Sequence, residues 1–248
     1  VTEVTTTGPV PDLTVVIPAY NEEHRLRRTL ETVHRWLASR GERFEVLVVD
    51  DGSADGTVDL ARTFGRAHPE VQVVTLGRNR GKGAAVREGF ARSRGENVLF
   101  SDADLSTPIE ELEPMRRALS EGVGLVIASR GLPESRLPVR QAWYREGMGK
   151  AFNRIVRLVT GVPFRDTQCG FKLLRGGDAR ALAAEMREER FAFDVELILL
   201  ARRRGLVVRE LPVTWRHVDE SRVSAVRDAL RMLAALPRIL ARTGRYRG

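Results

Sequence analysis

Apolar residues along this chain fall into short β-branched runs that alternate with longer stretches of helical period. Leu13-Thr-Val-Val-Ile-Pro18 reads as a buried strand that breaks at Pro18 into Ala19-Tyr20-Asn21-Glu22-Glu23. Leu26, Leu30, Val33 and Leu37 then recur on one face, which predicts a helix to about Ala38. Phe44 to Asp50 predicts a second buried strand, 56–65 a helix, 71–76 a third strand and 84–93 a third helix. Val98-Leu-Phe opens a fourth strand ending in Asp102-Ala-Asp104, and Pro108 is predicted in the first turn of the next helix. Four strand–helix units in succession call for parallel strands with right-handed crossovers.

The second half is less regular. Val123 to Arg130 predicts a fifth strand, and 131–141, rich in Pro and Arg without an apolar period, predicts a mobile loop. A basic helix is expected over 143–158, a loop entering a strand over 164–174, and helices over 178–186 and to Arg203, the latter with Asp194 and Glu196 in its first turn. A strand is expected over 207–213, with Trp215-Arg-His217 leaving it. The last predicted helix, 224–243, carries Val226, Leu230, Leu233, Leu236 and Leu240 on one side and many arginines elsewhere. Such a helix can lie in a membrane interface or pack on a core, and Pro237 makes it less than ideal. The expected organisation is a flexible tail over 1–12 and one domain over 13–222. That domain divides into an N-terminal half, 13–130, and a C-terminal half, 131–222; a basic amphipathic helix over 223–248 follows.

Composition narrows the classes. The 248 residues are 42% hydrophobic and 30% charged, which supplies a real core without a run long enough for a transmembrane helix. The polar, threonine-rich start reads as a frayed tail and not as a secretory signal. The net charge of +8 favours anionic partners, either lipid headgroups or phosphorylated small molecules. Nucleic acid is disfavoured because the cations are scattered and not interleaved with stacking aromatics. The single cysteine, Cys169, excludes an internal disulfide and reads as a buried structural thiol. The four histidines do not cluster, and none is assigned to a metal.

The predicted strand ends carry the chemistry. Tyr20 and Glu22, Asp50 and Asp51, Lys82, then Asp102 and Asp104 would form one polar rim along one sheet edge. Open α/β sheets bind ligands at that edge. Two carboxylates one residue apart can hold a divalent cation that also grips substrate phosphates. A dinucleotide fold is excluded because Gly81-Lys-Gly83 has Val86 at its third glycine position and follows the third strand.

Val16-Ile-Pro-Ala-Tyr-Asn-Glu22, Val48-Val-Asp-Asp-Gly-Ser53, Asn79-Arg-Gly-Lys-Gly83 and Asp102-Ala-Asp104 together resemble the inverting nucleotide-sugar glycosyltransferases of family 2. Asp102 to Pro108, Asp166 to Lys172, Arg190 to Leu197 and Pro212 to Trp215 narrow the resemblance to dolichyl- and polyprenyl-phosphate β-glucosyltransferases, over roughly residues 12 to 235. The resemblance implies an α/β GT-A fold with a mostly parallel central sheet flanked by helices and a Rossmann-like N-terminal half. It implies UDP-glucose as donor, bound by a nucleotide-sugar half over 13–130, and a polyprenyl phosphate as acceptor, bound by an acceptor half over 131–222, at the cytoplasmic face of a membrane. Sibling transferases of mannose or N-acetylglucosamine, or a transferase with a soluble acceptor, are the alternatives. By the same resemblance Pro18, Ala19, Tyr20, Glu22, Asp50, Asp51 and Ser53 hold uracil and ribose. Lys82 lies near the base, the diphosphate or both, Asp102, Ala103 and Asp104 flank the diphosphate, and Asp102, Asp104 and Ser106 hold Mg²⁺ or Mn²⁺. Arg130 and Arg145 position the acceptor phosphate, and Asp194 acts as base or orients a sugar hydroxyl. Trp215, Ser221 and Arg222 match a C-terminal Trp…Ser-Lys pattern, with Arg222 in place of lysine.

Overall fold

A computed structural model describes residues 9–139, 143–216 and 225–246. The four N-terminal strands, β1 (Leu13–Ala19), β2 (Phe44–Asp50), β3 (Val71–Thr75) and β4 (Asn97–Ser101), form where the apolar runs predict them, all parallel. Their links are α1 (Glu23–Ala38), α2 (Thr57–Ala67) and α3 (Lys82–Arg92). Every residue of β1 and β2 is buried, because helices cover both faces of the sheet. That is why these strands read as continuous apolar runs.

Alternate residues of one strand enter two different cores. Leu13, Val15 and Ile17 of β1 pack with Leu26, Leu30 and Val33 of α1. Val16 points the other way and packs with Val86 and Phe90 of α3. Fully burying each such aliphatic side chain contributes about 1.5–3 kcal/mol.

After β4 a single tight helical turn, Ile109–Glu111, leads into α4 (Leu112–Ser120) and β5 (Leu125–Ser129). The helix does not begin at Pro108 as expected. Pro108 is extended, at φ −58° and ψ 146°, and serves as the residue before the turn. The loop expected over 131–141 contains a short strand, β6 (Arg136–Val139), which is parallel to β9 (Thr214–Arg216). β6 shows no alternation to read, since its residues are half-buried or exposed and its only reason to be extended is its distant partner. Trp215, expected to leave a strand, is in β9 and buried.

The remaining elements are α5 (Trp143–Thr160), β7 (Phe171–Arg175), α6 (Gly176–Glu185), α7 (Phe193–Arg203), β8 (Val208–Pro212) and α8 (Ala225–Thr243). The sheet order is β3-β2-β1-β4-β7-β5-β8. β7 alone runs antiparallel, between β4 and β5, with Ser101 opposite Phe171 and Phe100 opposite Lys172. Its reversal brings the residues just before it, 166–170, to the edge where the parallel strands end. α8 packs on the core: Ala235, Leu236 and Ile239 are buried in the cluster that includes α5 and α7. The apolar stripe differs from the expected one, because Leu230 is 63% exposed. Among the described residues, no helix is long and apolar enough to cross a membrane.

Candidate active site

The carboxyl edge of the sheet gathers most of the predicted residues. After β1, Asn21 adopts a left-handed backbone at φ 54°. Its N–H donates to Ser53 Oγ at 2.8 Å and its Oδ1 accepts from the Ala54 N–H at 2.8 Å, so the first two loops are laced together. Glu22 forks onto Arg25 at 2.7 and 2.8 Å. Pro18 and Ala19 are buried, whereas Tyr20 is 41% exposed at the rim. Asp50 accepts the N–H groups of Gly52 and Ser53, each at 3.1 Å. Asp51 accepts those of Arg80 and Gly81 at 2.7 and 2.8 Å. The acids expected to read uracil and ribose therefore also brace their loops. Burial raises the Asp51 carboxyl above its ordinary value despite the two amides that oppose the shift.

The next loop is pressed onto the chain ahead of α7. A methyl carbon at Gly81 or Gly83 would overlap the carbonyl oxygen of Glu189 or Glu188. That close approach seats Ala84 N–H on Glu189 O at 3.0 Å and fixes the start of α3, where Lys82 stands.

The Asp102–Ser106 turn is held from several directions. Asp102 N–H donates to Gly170 O at 2.9 Å, and Lys82 Nζ meets Asp102 Oδ1 at 2.6 Å. A methyl carbon at Gly170 would overlap the Asp102 carboxylate. The carbonyl of buried Ala103 accepts the Thr29 hydroxyl of α1. Asp104 Oδ1 accepts the Ser106 N–H at 2.9 Å, and Ser106 O accepts from Arg216 N–H of β9 at 2.8 Å. Leu105 completes the turn at φ 47°, an unusual backbone for leucine and a strain of about 1–3 kcal/mol.

This donor set fits a divalent cation of the Mg²⁺ or Mn²⁺ type. Asp104 has one oxygen taken by the Ser106 N–H, and buried Asp102 Oδ1, though paired in charge with Lys82, accepts no hydrogen bond among the described residues, so both carboxylates keep an oxygen for a ligand. One or two carboxylates plus substrate phosphates suffice for such ions. Among the described residues no group of three His, Cys, Asp or Glu could hold a metal by itself.

Four charged groups alternate behind the turn. Burial opposes the charge on Lys82, but Asp102 and Asp194 outweigh it, so its ammonium is held more firmly than an ordinary lysine's. Lys82 Nζ and Lys172 Nζ both lie near the Phe100 ring, at 5.3 and 5.6 Å from its centroid. Lys172 is wholly buried and pairs with Asp194. Burial pushes the Asp194 carboxyl up, against the pull of Lys172 and Lys82. Asp194 is no helix cap, since Ala192 takes that position. Its neighbour Glu196 accepts the N–H groups of Arg187 and Glu188 at 2.9 and 2.7 Å and meets Arg242 of α8 at 3.2 Å. Glu196 is thus a brace between α7, its preceding loop and α8.

Arg130 forks onto Asp166, with Nε and the far nitrogen at 2.6 and 2.9 Å and its own N–H at 3.0 Å. Its guanidinium also lies 5.4 Å from the Trp215 ring centroid. Burial works against the Asp166 charge, but Arg130 prevails and holds the carboxyl below the usual range. Burial raises the Cys169 thiol to about 11, so it is an inert structural group. Arg145 is on α5, but its side chain lies outside the described residues, as do Ser221 and Arg222. Asp166, Gly170 and Lys172 lie in a stretch that carries the resemblance, but none of them was given a role in the site from the sequence. The signal in the sequence is Lys172 itself, a rare lysine within the apolar run from Phe171 to Leu174.

Solved structures share this architecture over nearly the whole chain. Glucosyl-3-phosphoglycerate synthase from Mycobacterium tuberculosis, in complex with Mn²⁺, UDP-glucose and phosphoglyceric acid, superposes with a TM-score of 0.68 at 20% identity, covering 96% of this chain and 81% of that one. Mannosyl-3-phosphoglycerate synthase from Rubrobacter xylanophilus gives 0.68 at 21% identity, covering 94% and 73%. That architecture, a mostly parallel sheet flanked by helices, is the GT-A fold. The family follows from the sequence: the model of "Glycosyl transferase family 2" matches residues 14–171, and the chain belongs to that family. Proteins named dolichyl-phosphate beta-glucosyltransferase are similar over most of the chain. The one from Drosophila melanogaster is 37% identical over 238 residues, 91% of this chain and 73% of its own. The one from Mus musculus is 35% identical over 229 residues, 87% and 71%.

Proposed function

We propose that this protein transfers glucose from UDP-glucose to a polyprenyl phosphate of the dolichyl type, with inversion at the anomeric carbon, releasing UDP. The observation that carries this reading is the 37% identity, over 91% of the chain, to a dolichyl-phosphate β-glucosyltransferase. The geometry of the sheet edge is consistent with it. Uracil and ribose would lie along Pro18, Ala19, Tyr20, Glu22, Asp50, Asp51 and Ser53. Lys82 and Ala103 would border the diphosphate. Asp102, Asp104 and Ser106 would hold Mg²⁺ or Mn²⁺, which when bound stabilises charge on the departing nucleoside diphosphate.

The acceptor oxygen belongs to a phosphate monoester that is already anionic near neutral pH, so little base strength is required. Arg130 and Arg145 would hold that phosphate in line with the anomeric carbon. Arg130 enters this role prepaired, since Asp166 fixes its guanidinium plane against Trp215. Asp194, buried beside Lys172, would orient a hydroxyl of the transferred sugar or accept a proton. A lipid acceptor places the enzyme at a membrane surface, and its charge of +8 suits the anionic cytoplasmic leaflet.

Incubation with UDP-glucose, Mg²⁺ and a short-chain polyprenyl phosphate should yield one solvent-extractable glucosyl lipid per UDP formed. UDP release that requires a soluble acceptor, or a product carrying mannose from GDP-mannose in preference, would remove the assignment.

A further inference from the structure

Lys172 is one of only three lysines in a chain dominated by arginine, and it is wholly buried in the middle of β7. A hydrophobic side chain of similar volume would fill such a place at least as favourably, so packing alone does not account for an ammonium there. Its contacts supply a reason. Nζ donates to the carbonyl of Cys169 at 2.7 Å and to the Asp194 carboxylate. Cys169 begins the turn whose next residue, Gly170, touches the Asp102 carboxylate and accepts the Asp102 N–H at 2.9 Å. Among the described residues Lys172 is the one hydrogen-bond donor to Asp194. A single ammonium thereby joins the head of α7 to the turn that backs the Asp102–Asp104 loop.

We propose that Lys172 is a positioning residue that holds Asp194 at a fixed place relative to Asp102, and that it acts on sugar transfer through Asp194. This rests on the reading of the site as a glucosyltransferase centre with Asp194 facing the transferred sugar. Lys82 Nζ and Lys172 Nζ lie 5.3 and 5.6 Å from the centroid of the same Phe100 ring, which brings this pair close to the Lys82–Asp102 pair. The two ion pairs share one aromatic neighbour, and a shift of one changes the field at the other.

A double-variant cycle tests the proposal. Lys172→Met should lower kcat about 100-fold, as misplacement of a positioned group does. The KM for UDP-glucose should stay within about threefold, because Lys82 and the Asp102 turn keep their own contacts. Asp194→Asn should lower kcat comparably, and the double variant should be no worse than the poorer single one. Lys172→Arg, which retains the charge and donors, should recover at least about a tenth of wild-type kcat. Lys172→Gln retains a donor toward Cys169 O and serves if the Met variant does not fold. The two single losses multiplying in the double variant, a KM rising in step with the fall in kcat, or wild-type kcat in the Met or Gln variant would each overturn the positioning role. Absence of lipid product with the wild-type enzyme would instead overturn the functional reading, and the proposal with it.

Discussion

Gly170 has an ordinary backbone, so its smallness matters for contact and not for torsion: a side chain there meets the Asp102 carboxylate. Gly170→Ala should shift that carboxylate by about 1–1.5 Å and reduce glucosyl transfer about 100-fold, measured with UDP-glucose at saturation. Asp104→Ala should reduce it by about 10²–10³-fold or more, while the thermal melting midpoint stays within a few degrees of wild type. Asp166 makes a prediction about stability. Its folded-state pKa is depressed, so its contribution is present above the unfolded value of about 4 and is lost as pH falls through the lower folded value. Asp166→Asn should destabilise the protein by about 2–4 kcal/mol near pH 7, somewhat below the range for a wholly buried broken pair because Arg130 keeps some solvent contact. The difference between variant and wild type should shrink below pH 4 in urea titrations.

At the scale of elements, the sequence was most legible where burial was most complete. β1, β2 and α1 follow their apolar patterns because both sheet faces are covered, and the acidic strand ends mark the site's edge. β6 was not legible, because only its partner β9, about 75 residues further on, makes it a strand. The same distance hid the tasks of the acids. The resemblance gave roles to Asp194 and Arg130 but none to Lys172 and Asp166, whose pairing with them across the fold no local pattern shows. α8 shows both outcomes: its amphipathic period predicted the helix, while the neighbours decided which leucines are buried. Leu236→Ala should therefore cost about 2–5 kcal/mol of unfolding free energy, and Leu230→Ala should stay within about 0.5 kcal/mol, both read from urea midpoints.

At the scale of the whole molecule, the excess of eight positive charges is spread over the surface and acts as a field. Cosedimentation with vesicles rich in anionic lipid should be strong at low salt and fall sharply by about 0.5 M salt, where the screening length is a few ångströms. Neutral vesicles should retain little protein. The reversed strand β7 has a different consequence, one for the growing chain. β4 and β5 lie on either side of it and are both made before it, so a nascent chain ending short of residue 171 carries two open strand edges with no occupant for the gap. Such edges invite pairing with other chains. Synthesis of this protein thus has a vulnerable interval, closed only when one late segment threads between two early ones, and products truncated within it should accumulate as aggregates.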